Sequence, residues 1–376
     1  MNIIIITGQT ATGKTKTALE IASLCNGELI NCDSRQIYKK LDIVTGKDIT
    51  DTNFIVDRKV NGFDVGYYKI KSQISNIKFT SQISNPKSLF KNYQGKQILN
   101  KSQTPNSKSL KANNQEPGTN NQQPISNLQS LSLPLWLYDV VDPKSYFSSY
   151  DYKVLALDVI SDILKRGKTP ILVGGAGYYL YHLLYDIPTS GIPQNWKLRD
   201  ELAATKIEEL QKKYELLNSS VYGKLNNSEK NNTQRLIRKI EIALYEKENN
   251  IKFESLNPTF SLLTSLHLPK KALKIHILLE DDKEQLKHNI EMRVNQRLDK
   301  GAVEEVKQLI SSGYLKNDPG LKTIGYAQLI SHLEDKMSFE EAKQQWITKE
   351  VQYAKRQATF MKKYFTSAFL PHQEDF

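Results

Sequence analysis

Eight consecutive residues near the start of the chain, Gly8-Gln9-Thr10-Ala11-Thr12-Gly13-Lys14-Thr15, have the spacing of a phosphate-binding loop of Walker A form. Glycines at both ends let backbone amides turn inward around phosphate oxygens. Lys14 adds a mobile positive charge, and the Thr15 hydroxyl is a ligand suited to Mg²⁺. The loop specifies a phosphate without saying which one, or whether a phosphoryl group moves. A second cluster, Asn31-Cys32-Asp33-Ser34-Arg35-Gln36-Ile37-Tyr38, places a carboxylate at the C-terminal end of the next strand, the edge where open α/β sheets assemble their sites. By residue type alone, Asp33 can hold Mg²⁺ through water, accept a proton as a general base, or cap the following turn.

A sheet edge has to position these groups, and the hydrophobic pattern supplies one. Residues 3–6 and 28–31 read as short buried strands around a helix whose apolar positions Ala18, Ile21, Ala22 and Cys25 recur at helical spacing. A strand is predicted over 135–141, a helix over 152–165, and a strand over 170–173 that runs into Gly174-Gly175. Strands alternating with helices predict an α/β fold with a doubly wound parallel sheet, the core of a P-loop NTPase-like protein. From Asn195 onward the pattern is almost entirely helical, with periodic runs over 233–248, 283–300, 303–311 and 339–364 and one late strand over 274–279. Residues 72–132 are dominated by Ser, Asn, Gln, Lys and Pro and hold too few large apolar groups to offset their ordering entropy, so a disordered insertion is expected there. The expected organisation is a P-loop core in two parts, 1–71 and 133–194, separated by that insertion. A helical insert domain over 195–269 and a core-completing, helical C-terminal region over 270–376 follow.

Composition narrows the function class. A chain of 376 residues with 39% hydrophobic side chains can bury a large core, and no apolar run reaches the ~20 residues of a membrane span. The net charge of +11 favours a polyanionic partner, nucleic acid or a phosphorylated substrate. Cys25 and Cys32 are the only cysteines, so neither a disulfide framework nor a zinc site is supported. The opening Met1-Asn2-Ile3-Ile4-Ile5-Ile6 lacks the basic start and cleavage site of a signal peptide, and a cytoplasmic, monomeric protein is expected.

Seven ordered blocks together resemble the tRNA dimethylallyltransferase (IPP transferase) family in order and spacing. They are the phosphate loop, the run from Asp33 to Tyr38 with Asp42-Ile43-Val44-Thr45-Gly46-Lys47, Asp139-Val140-Val141-Asp142-Pro143, Val173-Gly174-Gly175-Ala176-Gly177-Tyr178-Tyr179, Gln234-Arg235-Leu236-Ile237-Arg238, Ile324-Gly325-Tyr326 and Tyr353-Ala354-Lys355-Arg356-Gln357. The match runs through nearly the whole chain outside 72–132. The resemblance implies transfer of a dimethylallyl group from dimethylallyl diphosphate to the exocyclic N6 amine of the adenosine 3′ of the anticodon in tRNA. It also implies that Gly8 to Thr15 grip the diphosphate leaving group instead of ATP, with Mg²⁺ as cofactor and Thr15 as its ligand. Asp33 would take the proton leaving the adenine amine, Thr10 would lie near the reacting carbon, and Arg235 near the diphosphate. Contacts to the tRNA anticodon stem-loop are implied for Asp33, Ser34, Arg35 and Gln36, for Ala176, and for Gln234, Arg235, Leu236, Ile237 and Arg238. Lys322, Gly325 and Tyr326 join them, as do Lys355, Arg356, Gln357 and Lys362, a basic stretch whose interleaved Phe360 and Tyr364 suit phosphate neutralisation plus base stacking. The chain departs from the family pattern at Ala176, where Thr is usual, and at Glu350-Val351-Gln352, where the family's Thr-Arg precedes the Tyr-Ala-Lys-Arg-Gln block.

Three other functions are weighed against that one. An adenylate dimethylallyltransferase acting on free nucleotide would have little use for the basic helical region 233–363. A small-molecule P-loop kinase would need an Arg-rich lid over a nucleoside. A non-catalytic RNA-binding protein would not need Lys14, Thr15 and Asp33 intact.

Overall fold

A computed structural model describes residues 2–47, 49, 53–71, 132–253 and 258–365. The chain divides into two compact units, Met1–Leu183 with Leu263–Phe376, and Leu184–Leu262. The first part of the chain supplies β1 (Ile3–Gly8), α1 (Lys14–Leu24), β2 (Gly27–Asn31), β3 (Ile55–Val60), β4 (Phe63–Lys71), β5 (Ser132–Trp136), α2 (Ser149–Lys165), β6 (Thr169–Val173) and α3 (Gly177–Leu184). The smaller unit holds β7 (Tyr185–Asp186), α4 (Trp196–Ala203), α5 (Ile207–Leu217), α6 (Thr233–Glu248) and β8 (Thr259–Phe260). The larger unit is completed by β9 (Leu273–Leu278), α7 (Lys283–Asp299), α8 (Ala302–Ser311), α9 (Tyr326–Leu333) and α10 (Phe339–Tyr364).

Four consecutive isoleucines, Ile3 to Ile6, are each at most 1% exposed. A strand apolar on both faces is stable only at the centre of a covered parallel sheet, and β1 indeed lies between β6 and β9, parallel to both. The sheet order is β3-β4-β5-β2-β6-β1-β9. From β5 to β9 every pairing is parallel, and Ala18, Ile21 and Ala22 of α1 pack on one face against Ile4, Ile6 and Leu29.

The sheet departs from the expected all-parallel form at one edge, where β4 runs antiparallel to both β3 and β5. The β3–β4 hairpin turns at Asn61-Gly62, with φ of 49° and 82°. Asn-Gly is the residue pair that a tight two-residue hairpin turn prefers. The strand expected over 135–141 is also corrected: it starts at Ser132 and ends at Trp136, because Leu137 and Asp139 adopt positive φ, 61° and 51°, and break the ladder. Apart from Ser132, the stretch 72–132 expected to be an insertion lies outside the described residues.

The smaller unit spans Leu184–Leu262, displaced from the expected 195–269. Its core is Leu210 and Tyr214 of α5 against Leu236, Ile237 and Ile240 of α6. The buried Glu241 carboxylate accepts hydrogen bonds from the Asn195 N–H at 2.6 Å, from Arg199 at 2.6 Å and from Arg238, pinning the start of α4 to α6.

Helix α10 matters most for the site. Ser338 and Glu341 form a reciprocal capping box at its start, satisfying N-terminal amides that would otherwise be unpaired. Its buried residues Ala342, Trp346, Ile347, Glu350, Ala354, Gln357 and Met361 follow helical spacing and seat it against α7, α9 and the end of β1. Among the described residues, no helix is long and apolar enough to cross a membrane.

Candidate active site

The segments after β1, β2, β6 and β9 emerge at one edge of the sheet and bring together Gly8 to Thr15, Asp33, Gly174 and Glu280. Thr10 to Thr15, Asp33, Gly174 and Glu280 line a cavity of about 960 Å³ with residues of α7 and with Gln357 of α10. Gly8 has φ 137°, and any Cβ there would run into the Leu278 carbonyl, so this position accepts no other residue without movement of the neighbouring strand. Ala11 carries φ 61°, a strained conformation of the kind held at ligand-gripping loops. The Gln9 side chain braces the loop, donating to the Ala354 carbonyl at 3.4 Å and accepting from the Glu280 N–H at 2.8 Å. The Lys14 amine donates to the Gln9 carbonyl. Burial, with Arg293 adding repulsion, lowers the Lys14 pKa to about 7.

Asp33 performs the capping role weighed for it, accepting from the Arg35 N–H at 2.9 Å through Oδ1. That leaves its second oxygen unused by the cap, and Asp33 lines the cavity. Burial disfavours its charge, but Arg35, Lys14 and Arg293 outweigh burial and hold the carboxyl below the ordinary aspartate range. Asp33 is therefore an anion at neutral pH, the form a proton acceptor needs.

Arg35 itself is buried. Its Nη1 donates to Glu350 Oε1 at 2.7 Å, Arg297 Nη1 lies 3.6 Å from the same oxygen, and the guanidinium sits 4.9 Å over the Tyr353 ring. Glu350, in the stretch that departs from the family pattern, thus ties the turn after β2 to α7 and α10. Against the cost of burial, Arg35, Arg297 and Arg293 hold the Glu350 carboxyl below its ordinary range.

Three site residues, two on α7 and one at its C-cap, were not read from the sequence. Arg293 Nη1 donates to Thr10 Oγ1 at 2.9 Å, and Arg293, Arg297 and Lys300 all line the cavity. Their i, i+4, i+7 spacing on one helix face was the available signal. Glu305 of α8 was also missed. It accepts the Asp42, Ile43 and Val44 N–H groups at 2.9, 2.6 and 3.1 Å and the Tyr326 hydroxyl at 2.5 Å, fixing the loop after the Asp33 turn.

The sequence model describing IPP transferases matches residues 119–364, well over half of the chain. This chain belongs to the IPP transferase family. It is 28% identical over 366 residues to the tRNA dimethylallyltransferase of Acetivibrio thermocellus, covering 96% of this chain and 89% of the relative. It is 29% identical over 370 residues to that of Alkaliphilus oremlandii, covering 96% and 88%. Two solved structures share the fold. One is the tRNA isopentenylpyrophosphate transferase of Bacillus halodurans, with TM-score 0.53, 23% identity and coverage of 97% and 88%. The other is a eukaryotic dimethylallyltransferase acting on tRNA, with TM-score 0.58, 21% identity and coverage of 96% and 69%.

The residues expected to meet tRNA in this IPP transferase divide into exposed, buried and half-buried ones. Lys322, Lys355, Arg356 and Lys362 of the larger unit and Gln234 and Arg235 of the smaller one are exposed. Arg35, Ala176, Leu236, Ile237, Gly325, Tyr326 and Gln357 are buried, and their positions have structural causes. Leu236 and Ile237 fill the core of the smaller unit, Tyr326 holds Glu305, and Gln357 has both ends of its amide taken by Thr10 and Gly175. Ser34 and Gln36 are half-buried, the Gln36 amide donating to the Gly46 carbonyl at 2.8 Å, and Arg238 is engaged with Glu241. Arg235 belongs to the smaller unit, whereas every residue lining the cavity comes from the larger one.

Proposed function

We propose that this IPP transferase moves a dimethylallyl group from dimethylallyl diphosphate to the N6 amine of the adenosine 3′ of the anticodon in tRNA. The observation that carries this reading is a phosphate loop and an ionised carboxylate, Asp33, in one cavity, in a chain that aligns over 96% of its length with tRNA dimethylallyltransferases. The allylic carbon–oxygen bond breaks with its electron pair moving to the diphosphate, the adenine nitrogen bonds to that carbon, and the amine proton passes to Asp33. Lys14, the loop amides and Arg293 meet the charge that grows on the leaving group. A bound diphosphate also draws on the cations that now depress Asp33, which raises the basicity of Asp33 when the donor is in place. The Thr15 hydroxyl opens α1 at the cavity wall, an oxygen donor of the kind a hydrated Mg²⁺ takes beside phosphate oxygens. The ion would supply further neutralisation of the leaving group.

On the RNA side, exposed Lys355, Arg356 and Lys362 suit phosphate contacts along an anticodon stem. Arg235 is assigned to the diphosphate by the family resemblance. The test is incubation of the purified chain with dimethylallyl diphosphate and an anticodon stem-loop. The expected products are prenylated adenosine and free pyrophosphate, with neither ATP as donor nor free AMP as acceptor supporting transfer. Transfer to AMP alone, or phosphoryl transfer from ATP, would replace this reading.

A further inference from the structure

Four aromatic rings run from α3 onto α10. Tyr178 and Phe360 have centroids 5.1 Å apart, Phe360 and Tyr364 4.5 Å, and Tyr364 and Tyr181 4.9 Å. Tyr178, at one end of the run, is 56% exposed, a large ring left open to solvent. Both helices reach the active site within one turn of this run. The Ala176 N–H, two residues before Tyr178, donates to the carbonyl of Cys32 at 3.1 Å, next to Asp33. Gln357, three residues before Phe360, accepts from the Thr10 N–H at 2.8 Å. Exposed Arg356, Lys362 and Lys363 lie within four residues of Phe360 along α10, and the Lys363 amine lies 5.0 Å over Tyr364.

We infer that Tyr178, Tyr181, Phe360 and Tyr364 form a stacking platform for an unpaired nucleotide of the anticodon loop adjacent to the acceptor adenosine. An open ring with a cationic fringe matches a nucleotide, which presents a π-face and a phosphate a few ångströms apart. Extruding the acceptor base leaves its neighbour without a stacking partner, and a ring beside the catalytic turn restores one. This inference rests on the reading of the chain as an enzyme acting on tRNA.

The experiment places 2-aminopurine at each loop position flanking the acceptor in an anticodon stem-loop and compares the full chain with Tyr178→Ala and Tyr178→Phe. In the unsubstituted chain, the fluorescence at one flanking position is expected to fall on binding. Tyr178→Ala is expected to abolish that change and to weaken stem-loop affinity by roughly tenfold, the scale of one base–aromatic stack, while Tyr178→Phe keeps both. An abasic nucleotide at that position should weaken the unsubstituted chain equally and Tyr178→Ala no further. Because the Tyr178 ring is exposed, the thermal midpoint of the variant checks that the fold is intact. Unchanged affinity and fluorescence in Tyr178→Ala, or fully additive losses with the abasic loop, would overturn the platform while leaving the tRNA reading in place. Failure of the unsubstituted chain to bind the stem-loop would overturn both.

Discussion

Gln357, deep on α10, accepts a hydrogen bond from the backbone N–H of Thr10 at 2.8 Å and returns one to the Gly175 carbonyl at 2.9 Å. One side chain therefore joins the phosphate loop, the turn after β6 and the helix that carries the exposed cations Lys355, Arg356 and Lys362. In the proposed function, donor grip and RNA docking would share this strut.

Replacing Gln357 by Leu leaves a buried amide and a buried carbonyl without partners, at a cost of about 1–3 kcal/mol for each unsatisfied group. Denaturant titration should show that loss. Pyrophosphate affinity should fall with it, because the Thr10 segment of the loop is no longer held.

Lys14, its pKa lowered to about 7, is charged below that pH and neutral above it. A bound diphosphate favours the charged amine, so donor affinity should be greatest below pH 7 and weaken as the pH rises through it. Calorimetry in buffers of different ionisation heat should show proton uptake on binding at pH 8. The Lys14→Gln variant should bind weakly and lose this uptake.

Arg293 touches Thr10 and lines the same cavity. Arg293→Gln should lower transfer by roughly 10²-fold, in the range of losing one charge-stabilising donor, and Arg293→Lys should recover part of it. Steady-state kinetics with varied donor and inhibition by pyrophosphate would measure both effects.

Glu350→Ala removes the buried carboxylate that Arg35 and Arg297 share, and breaking such a buried ion pair costs about 3–5 kcal/mol. In the unsubstituted chain the depressed Glu350 carboxyl contributes stability that is present above the ordinary glutamate value of 4.5 and is lost as the pH falls through its lower folded value. Unfolding midpoints measured from neutral to acid pH should fall more gently for Glu350→Gln than for the unsubstituted chain.

The phosphate loop, Asp33 and the strands that deliver them were legible because strand, loop and helix there obey local rules: four isoleucines, a glycine-framed loop, an apolar stripe. The run 339–364 was equally legible, since the stripe from Ala342 to Met361 keeps helical period throughout. Arg293, Arg297 and Glu350 were hidden because their roles depend on α7 and α10 meeting at the turn after β2, a contact made by residues over 250 positions away in sequence. The β3–β4 hairpin was missed for a different reason. Its Asn61-Gly62 turn signal was present, but β3 is half-exposed, so hydrophobic pattern alone did not mark a strand.

In the proposed reaction the phosphate loop holds the leaving diphosphate while Asp33 takes the proton from the adenine amine. Single-turnover transfer to an anticodon stem-loop by Asp33→Asn, at saturating dimethylallyl diphosphate, tests it most directly. The amide keeps the cap to Arg35 possible and removes the basicity, so the rate should fall by ~10²-fold or more with donor affinity largely retained. A variant that transfers at the normal rate once saturated, having lost only donor affinity, would place the proton acceptor elsewhere.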